Sequence, residues 1–196
     1  MITIVDSGGA NLASIQFALN RLGVMALLSA NADAIKKSSH VIIPGVGSAE
    51  SAMRRLKANS LIPVLQSLTQ PVLGICLGMQ ILFDFSEEGN VDCLGLFAGR
   101  VRKIPSNNDQ LIVPHMGWNT IKITQSNLLL KEVPDDSYAY FVHSYAAPVG
   151  KCTLASTCYG EDFSAAVANA NFYGVQFHPE RSSAIGSVIL KNFLEL

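Results

Sequence analysis

Charge is scarce in this chain and neither sign prevails: 14 Lys and Arg stand against 15 Asp and Glu, a net charge of −1 at pH 7. Without a basic excess there is no electrostatic footprint for nucleic acid. Charged residues make up 15% against 49% hydrophobic ones, which excludes an intrinsically disordered chain. Apolar runs never reach the length needed to cross a bilayer, so no membrane association is expected. Cysteines number four, none in a Cys-x-x-Cys pair, and no cysteine–histidine cluster has zinc-ligand spacing. Neither a metal nor another cofactor is therefore expected, and Cys93, Cys152 and Cys158 read as structural free thiols. The start, Met1 to Asp6, lacks a basic region and a cleavage site, which predicts a first strand and a cytoplasmic location rather than a signal peptide. Repeats and low-complexity stretches are absent. The mean hydropathy of +0.30 with so little charge hints at apolar surface covered by another protein.

What is present suits one domain over residues 1–196. The first half alternates strand and helix signals. Strands are predicted at Ile2–Val5, Val24–Leu28, Val41–Ile43 and Val72–Ile75, with the turn Ser7-Gly8-Gly9 after the first. Helices are predicted at Asn11–Leu22, Glu50–Lys57 and Leu61–Leu68. Fully apolar strands in β-α-β order imply a parallel sheet covered on both faces. From Leu94 onward the pieces are short and β-like. Strands fit Arg100–Ile104, Asn119–Ile123, Tyr138–Val142, Thr153–Thr157, Ala165–Ala170 and Phe172–Gln176, the last three antiparallel. Ser106-Asn107-Asn108-Asp109 reads as a flexible loop, and Ala184–Leu194 as a final helix. The fold class is α/β, a mixed, mainly parallel sheet with helices on both faces.

One turn carries chemistry. Gly74-Ile75-Cys76-Leu77-Gly78 follows an apolar strand and precedes the helix-like segment Met79–Phe83, the strand–elbow–helix setting of a nucleophile. A helix starting there aims N–H groups and positive dipole charge at the sulfur and favours thiolate. On the turn alone, a buried small hydrophobe is the competing reading of Cys76. His178-Pro179-Glu180 shifts the balance toward catalysis. In an extended segment His178 and Glu180 share a face, and Pro179 biases His178 toward that geometry. An imidazole backed by a carboxylate is the general base and acid that a thiol nucleophile needs. The ends of parallel strands would gather Cys76, His178 and Pro44-Gly45-Val46-Gly47 at one edge. That Gly-rich segment lacks the ending of a phosphate loop and is either a structural turn or an N–H donor loop for an oxyanion.

These residues, Gly74 to Gln80 with His178-x-Glu180, resemble the class I (triad) glutamine amidotransferases. Four further segments extend the likeness nearly end to end, toward the glutaminase subunits of imidazole glycerol phosphate synthases. They are Pro44–Gly47, Pro114–Asn119, Tyr140–Tyr145 and Gly174–Ser182. Departures occur at Ser7, where such sequences often carry an aromatic or Thr, and at Ser183, where Gly is common. The resemblance implies a Cys76–His178–Glu180 triad that hydrolyses glutamine to glutamate and ammonia, with Leu77, Val46 and Gly47 at the oxyanion. It further implies that Gln80, Glu88 and the backbone of His143, Ser144 and Tyr145 hold the substrate's amino-acid end. Glu88 reads equally as part of a solvated helix end, and His143 as structural. The implied partner is a (β/α)8-barrel cyclase that uses the ammonia to make imidazole glycerol phosphate and an aminoimidazole carboxamide ribonucleotide. Met116, Trp118, Asn119, Tyr138 and Arg181 match interface positions of that family; for Trp118, core burial is the other reading.

Overall fold

The computed structural model describes residues 1–6, 12–45, 47–106 and 111–196. The turn at Ser7–Gly9, the start of the first helix at Asn11, Val46 and most of the Ser106–Asp109 loop lie outside the described residues. In chain order the elements are β1 (Ile2–Val5), α1 (Leu12–Arg21), β2 (Ala26–Ser29), α2 (Ala32–Lys36), β3 (His40–Ile43), α3 (Ala49–Ala58) and α4 (Ile62–Gln66). Next come β4 (Val72–Ile75), α5 (Leu77–Gln80), β5 (Phe83–Ser86), β6 (Val91–Asp92), β7 (Phe97–Lys103), β8 (His115–Ile123), β9 (Ser137–His143) and β10 (Tyr145–Ala146). The chain closes with β11 (Thr153–Tyr159), β12 (Glu161–Asn169), β13 (Phe172–Val175) and α6 (Ser183–Leu194).

A nine-stranded sheet runs β2-β1-β3-β4-β13-β12-β11-β8-β9. Strands β2, β1, β3, β4 and β13 pair in parallel, and from β13 through β9 every pairing is antiparallel. The mixed sheet is as expected. Successive residues of the parallel strands face opposite layers. Ile4, Ile42, Leu73 and Ile75 join α1 and α6 in one apolar cluster. Val5, Val41, Ile43 and Val72 join α3 and α4 in the other. Phe193, Ile42 and Leu56 are among the fully buried side chains, each worth about 1.5–3 kcal/mol of burial.

The sequence pattern misses two features. Helix α2 has five residues, too few to show periodicity, and is set by Asn31, whose Oδ1 accepts the Ala34 N–H at 3.0 Å. A second sheet, β10-β7-β5-β6, is the other: β5 and β6 lie ahead of Leu94, where no strand is predicted, and pair with β7 inside the stretch read as short β-like pieces. It also shortens the elbow helix: α5 ends at Gln80, and Phe83 begins a strand instead of closing a helix. The Leu82 carbonyl takes the N–H groups of Leu96 and Phe97, at 2.8 and 3.0 Å, and the rings of Phe83 and Phe97 meet at 5.4 Å. Those tertiary bonds outweigh the local preference of Ile81-Leu82-Phe83 for helix.

Candidate active site

Strand β4 delivers Cys76 to the mouth of the parallel half. Its backbone sits at φ 53°, ψ −113°, a conformation L-residues rarely adopt, and its N–H donates to the Val175 carbonyl at 2.7 Å. Close packing holds the turn. A Cβ on Gly78 would run into the Ile43 carbonyl, and one on Gly45 would lie 2.5 Å from both the Ile75 oxygen and the Leu77 nitrogen. The segment after β3 is thereby pressed against the elbow, beside Leu77. As the first residue of α5, Leu77 has no carbonyl ahead of it in the helix to receive its N–H. Gly47 follows with φ +85°.

His178 stands just past β13, the neighbour of β4. Its N–H donates to the Tyr140 carbonyl at 2.9 Å, and Ser182 Oγ donates to the His178 carbonyl at 2.7 Å. The Tyr140 N–H donates in turn to Ser182 Oγ at 3.0 Å, which also covers the free edge of β9. Glu180 reaches His178 as expected, with Nδ1 and Oε1 at 2.8 Å, but by a different route. The pair does not alternate along an extended segment: Pro179–Arg181 form a 3₁₀ turn, and the chain curls to bring the carboxylate back. The Glu180 side chain is 1% exposed, and its second oxygen, Oε2, has no hydrogen-bond partner. Burial opposes charge on His178, but hydrogen bonds to Cys76 and Glu180, and their negative charge, outweigh it and push the imidazole up to about 10.

The sulfur has two more neighbours that sequence reasoning does not single out. It lies 3.7 Å from the Val142 carbonyl oxygen, and Gln176 Nε2 donates to it, also at 3.7 Å. Gln176 carries a signal: it is a polar residue between Val175 and Phe177, in a run otherwise apolar, and it is fully buried. Gln80, one turn past Cys76, is also buried. Its amide donates to the Tyr145 carbonyl at 2.7 Å and to Gln176 Oε1 at 3.0 Å. Glu88 lies elsewhere in its contacts: Oε2 accepts the Ala49 N–H at 2.8 Å, which caps α3 directly after the Gly45–Gly47 segment. Burial raises its carboxyl, and that hydrogen bond partly offsets the rise. It is therefore not part of a solvated helix end.

His143 is 6% exposed and packs among rings, its Nδ1 donating to the Tyr145 carbonyl at 2.8 Å; the Ser144 carbonyl accepts the Ile104 N–H at 2.9 Å. Met116, Trp118 and Tyr138 are 67%, 52% and 62% exposed on the outer face of β8 and β9, so Trp118 is not a core residue. Arg181 is exposed beside Glu180, while Asn119 is half-buried and turned inward, toward His115. Among the described residues no group of three or more His, Cys, Asp or Glu could hold a metal ion. No helix among them is long and apolar enough to cross a membrane.

Residues 3–196 match the family of class-I glutamine amidotransferases. The imidazole glycerol phosphate synthase subunit HisH of Pasteurella multocida (strain Pm70) is 49% identical over 194 residues, covering 99% of this chain and 97% of that protein. The HisH subunit of Bacteroides fragilis (strain YCH46) is 47% identical over 195 residues, covering 100% and 99%. Among solved structures, a glutamine amidotransferase from Thermotoga maritima superposes with a TM-score of 0.66 at 15% identity, over 99% and 96% of the two chains. PurLQS from the same organism gives 0.69 at 17%, over 99% and 97%. The two structures share the fold, and the full-length sequence identity goes further: this chain belongs to the class-I glutamine amidotransferase family, among the HisH subunits of imidazole glycerol phosphate synthase.

Proposed function

We propose that Cys76, His178 and Glu180 hydrolyse glutamine and that the ammonia is delivered to a docked (β/α)8-barrel cyclase for imidazole glycerol phosphate synthesis. The observation that carries this reading is the strained elbow cysteine with, beside it, an imidazole that Glu180 holds through Nδ1 at 2.8 Å. Glu180 occupies Nδ1, so Nε2 is the nitrogen that serves the sulfur. The thiolate attacks the side-chain amide carbon, forming a C–S bond and an oxyanion. The oxyanion is received by the Leu77 N–H and the 45–47 segment; one such donor is typically worth ~3 kcal/mol of barrier. As the C–N bond breaks, Nε2–H of His178 protonates the departing nitrogen and ammonia leaves. Water then attacks the thioester, giving its proton to Nε2 and releasing glutamate. Gln80, Glu88 and the His143–Tyr145 backbone hold the amino-acid end. In that role Glu88 would act from a carboxylate already anchored to Ala49.

Two features favour a partner. Cys76 is 8% and His178 6% exposed, so the reacting pair is nearly closed to solvent in the chain by itself. Exposed Met116, Trp118 and Tyr138 adjoin it: Met116 pairs with Val142, whose carbonyl faces the sulfur. Low glutaminase activity in isolation, rising on addition of the cyclase, follows from this. Cys76→Ala in the complex tests the assignment. Glutamine-dependent synthesis should fall by at least about 10⁴-fold, while added ammonia still supports the reaction. Loss of both activities would move Cys76 from chemistry to assembly.

A further inference from the structure

Two imidazoles beneath the site are joined in a way that the reaction does not use. His115 Nδ1 and His143 Nε2 lie 2.9 Å apart, both side chains buried. His143 Nδ1 faces the Tyr145 carbonyl, an acceptor only, so the proton is on Nδ1 and Nε2 is bare. His115 must then donate from Nδ1, which leaves its Nε2 to accept from Asn119 Nδ2 at 3.3 Å. Asn119 is oriented by its other bonds, Nδ2 to the Cys158 carbonyl at 2.9 Å and Oδ1 from the Thr120 N–H at 2.9 Å. Every donor in the series points from β8 toward Tyr145. An imidazolium at either position would put a second N–H against its neighbour. Burial keeps both rings neutral, pushing His115 down to about 4 and His143, which also feels the charge of His178, to about 3.

The Tyr145 carbonyl is held from two sides, by His143 and by Gln80. With one Gln80 proton spent there, the other goes to Gln176 Oε1, and Gln176 is left with its nitrogen toward the sulfur. Were His143 in the other tautomer, a bare Nδ1 would oppose the carbonyl lone pairs, and the clamp would open. We propose that His115 is a positioning residue: its Nδ1–H locks the tautomer of His143, and through the Tyr145 carbonyl and Gln80 it fixes the backbone that receives glutamine and the Gln176 amide that donates to Cys76. This deepens the proposed function and rests on it.

The ring environment supplies a clean variant. His115 stacks on Tyr159 and Phe141, with centroids at 4.1 and 4.9 Å, so His115→Phe keeps the packing and removes the donor. His115→Asn places an amide N–H near the Nδ1 position. Glutamine hydrolysis would be measured for both variants and wild type in complex with the cyclase, and the histidine tautomers of wild type read by ¹⁵N NMR at pH 7. We expect Nδ1–H tautomers at His115 and His143, KM for glutamine about tenfold higher in His115→Phe, the loss of about one hydrogen bond, and partial recovery in His115→Asn. A merely structural role would lower the active fraction, hence apparent kcat, and leave KM alone. An Nε2–H tautomer at either residue, an unchanged KM in His115→Phe, or no recovery in His115→Asn would each overturn the relay while leaving the glutaminase reading intact. Wild type that hydrolyses no glutamine with the partner present, its tautomers as assigned, would overturn the proposed function and the positioning role with it.

Discussion

In the parallel half of the large sheet, β1 and β4 are buried at every residue, whereas β9 in the antiparallel half buries alternate residues along most of its length. A strand covered on both faces has no side left for recognition, and a shift of one residue would exchange its two apolar layers. That half is suited to holding one backbone turn in one place, and Cys76 stands at its end. The antiparallel half has a wet face and a dry face. Met116 and Trp118 point outward from β8 while His115, between β8 and the core, points in, so one strand carries exposed aromatic surface and buried hydrogen bonding. Chemistry and contact are thus separated by layer, and His178, bonded to Tyr140 of β9, ties the two halves.

Substitutions can break that division, beginning with the most damaging. Gly78→Ala would force the elbow off the Ile43 carbonyl; in a close-packed interior we expect more than about 3 kcal/mol of destabilisation, measured by denaturant unfolding. A mild effect would show that the parallel half gives way more readily than its packing implies. Glu180→Gln keeps the volume but removes the charge, and should lower kcat/KM for glutamine on the order of 10²–10⁴-fold. It also has a pH signature. With His178 raised to about 10, the native state holds a proton that the unfolded chain releases above about 6.5. The stabilisation is complete below that lower value and is lost as pH rises through about 10. The stability gap between wild type and Glu180→Gln should therefore narrow from pH 6 to pH 10. A gap that widens would contradict the charged pair.

On the antiparallel side, Trp118→Ala should weaken cyclase binding by tenfold or more, roughly 1.4 kcal/mol, while unfolding free energy stays within about 0.5 kcal/mol. Titration of the variant with the partner checks the first, and thermal unfolding the second. The smallest effect is expected at Ser183, where the family resemblance implies Gly. It opens α6 at φ 53°, a left-handed conformation that costs a side-chain-bearing residue about 1–2 kcal/mol. After the backbone entropy of glycine is set against it, Ser183→Gly should gain roughly 0.5–1 kcal/mol.

Particular residues show what is legible in the sequence. The elbow is readable because an apolar strand ends between two glycines, and the parallel strands because their apolar runs are short and turn-bounded. Phe83 is misread since periodicity does not register the Leu82 carbonyl bonds that pull it into a second sheet. Sequence reasoning places the Glu180 carboxylate beside His178 for the wrong local reason, as a 3₁₀ turn after proline performs what extended alternation would. Glu88 shows the limit most plainly, because nothing near it in the chain announces that Ala49 is its partner. His115 is within reach: alternation on β8 puts it opposite Met116 and Trp118, on the inner face, where a polar ring demands partners.

The backbone at Cys76 has a consequence for how this protein answers selection. Its φ 53°, ψ −113° belongs to the region where glycine is at ease, so Cys76→Gly would relieve strain on the order of 1–3 kcal/mol. Strain relief of that size is thus on offer at the residue that supplies the nucleophile, set against the entropy of glycine and the loss of a buried side chain. Selection for heat resistance alone, with no demand for turnover, would place no value on keeping a thiol there.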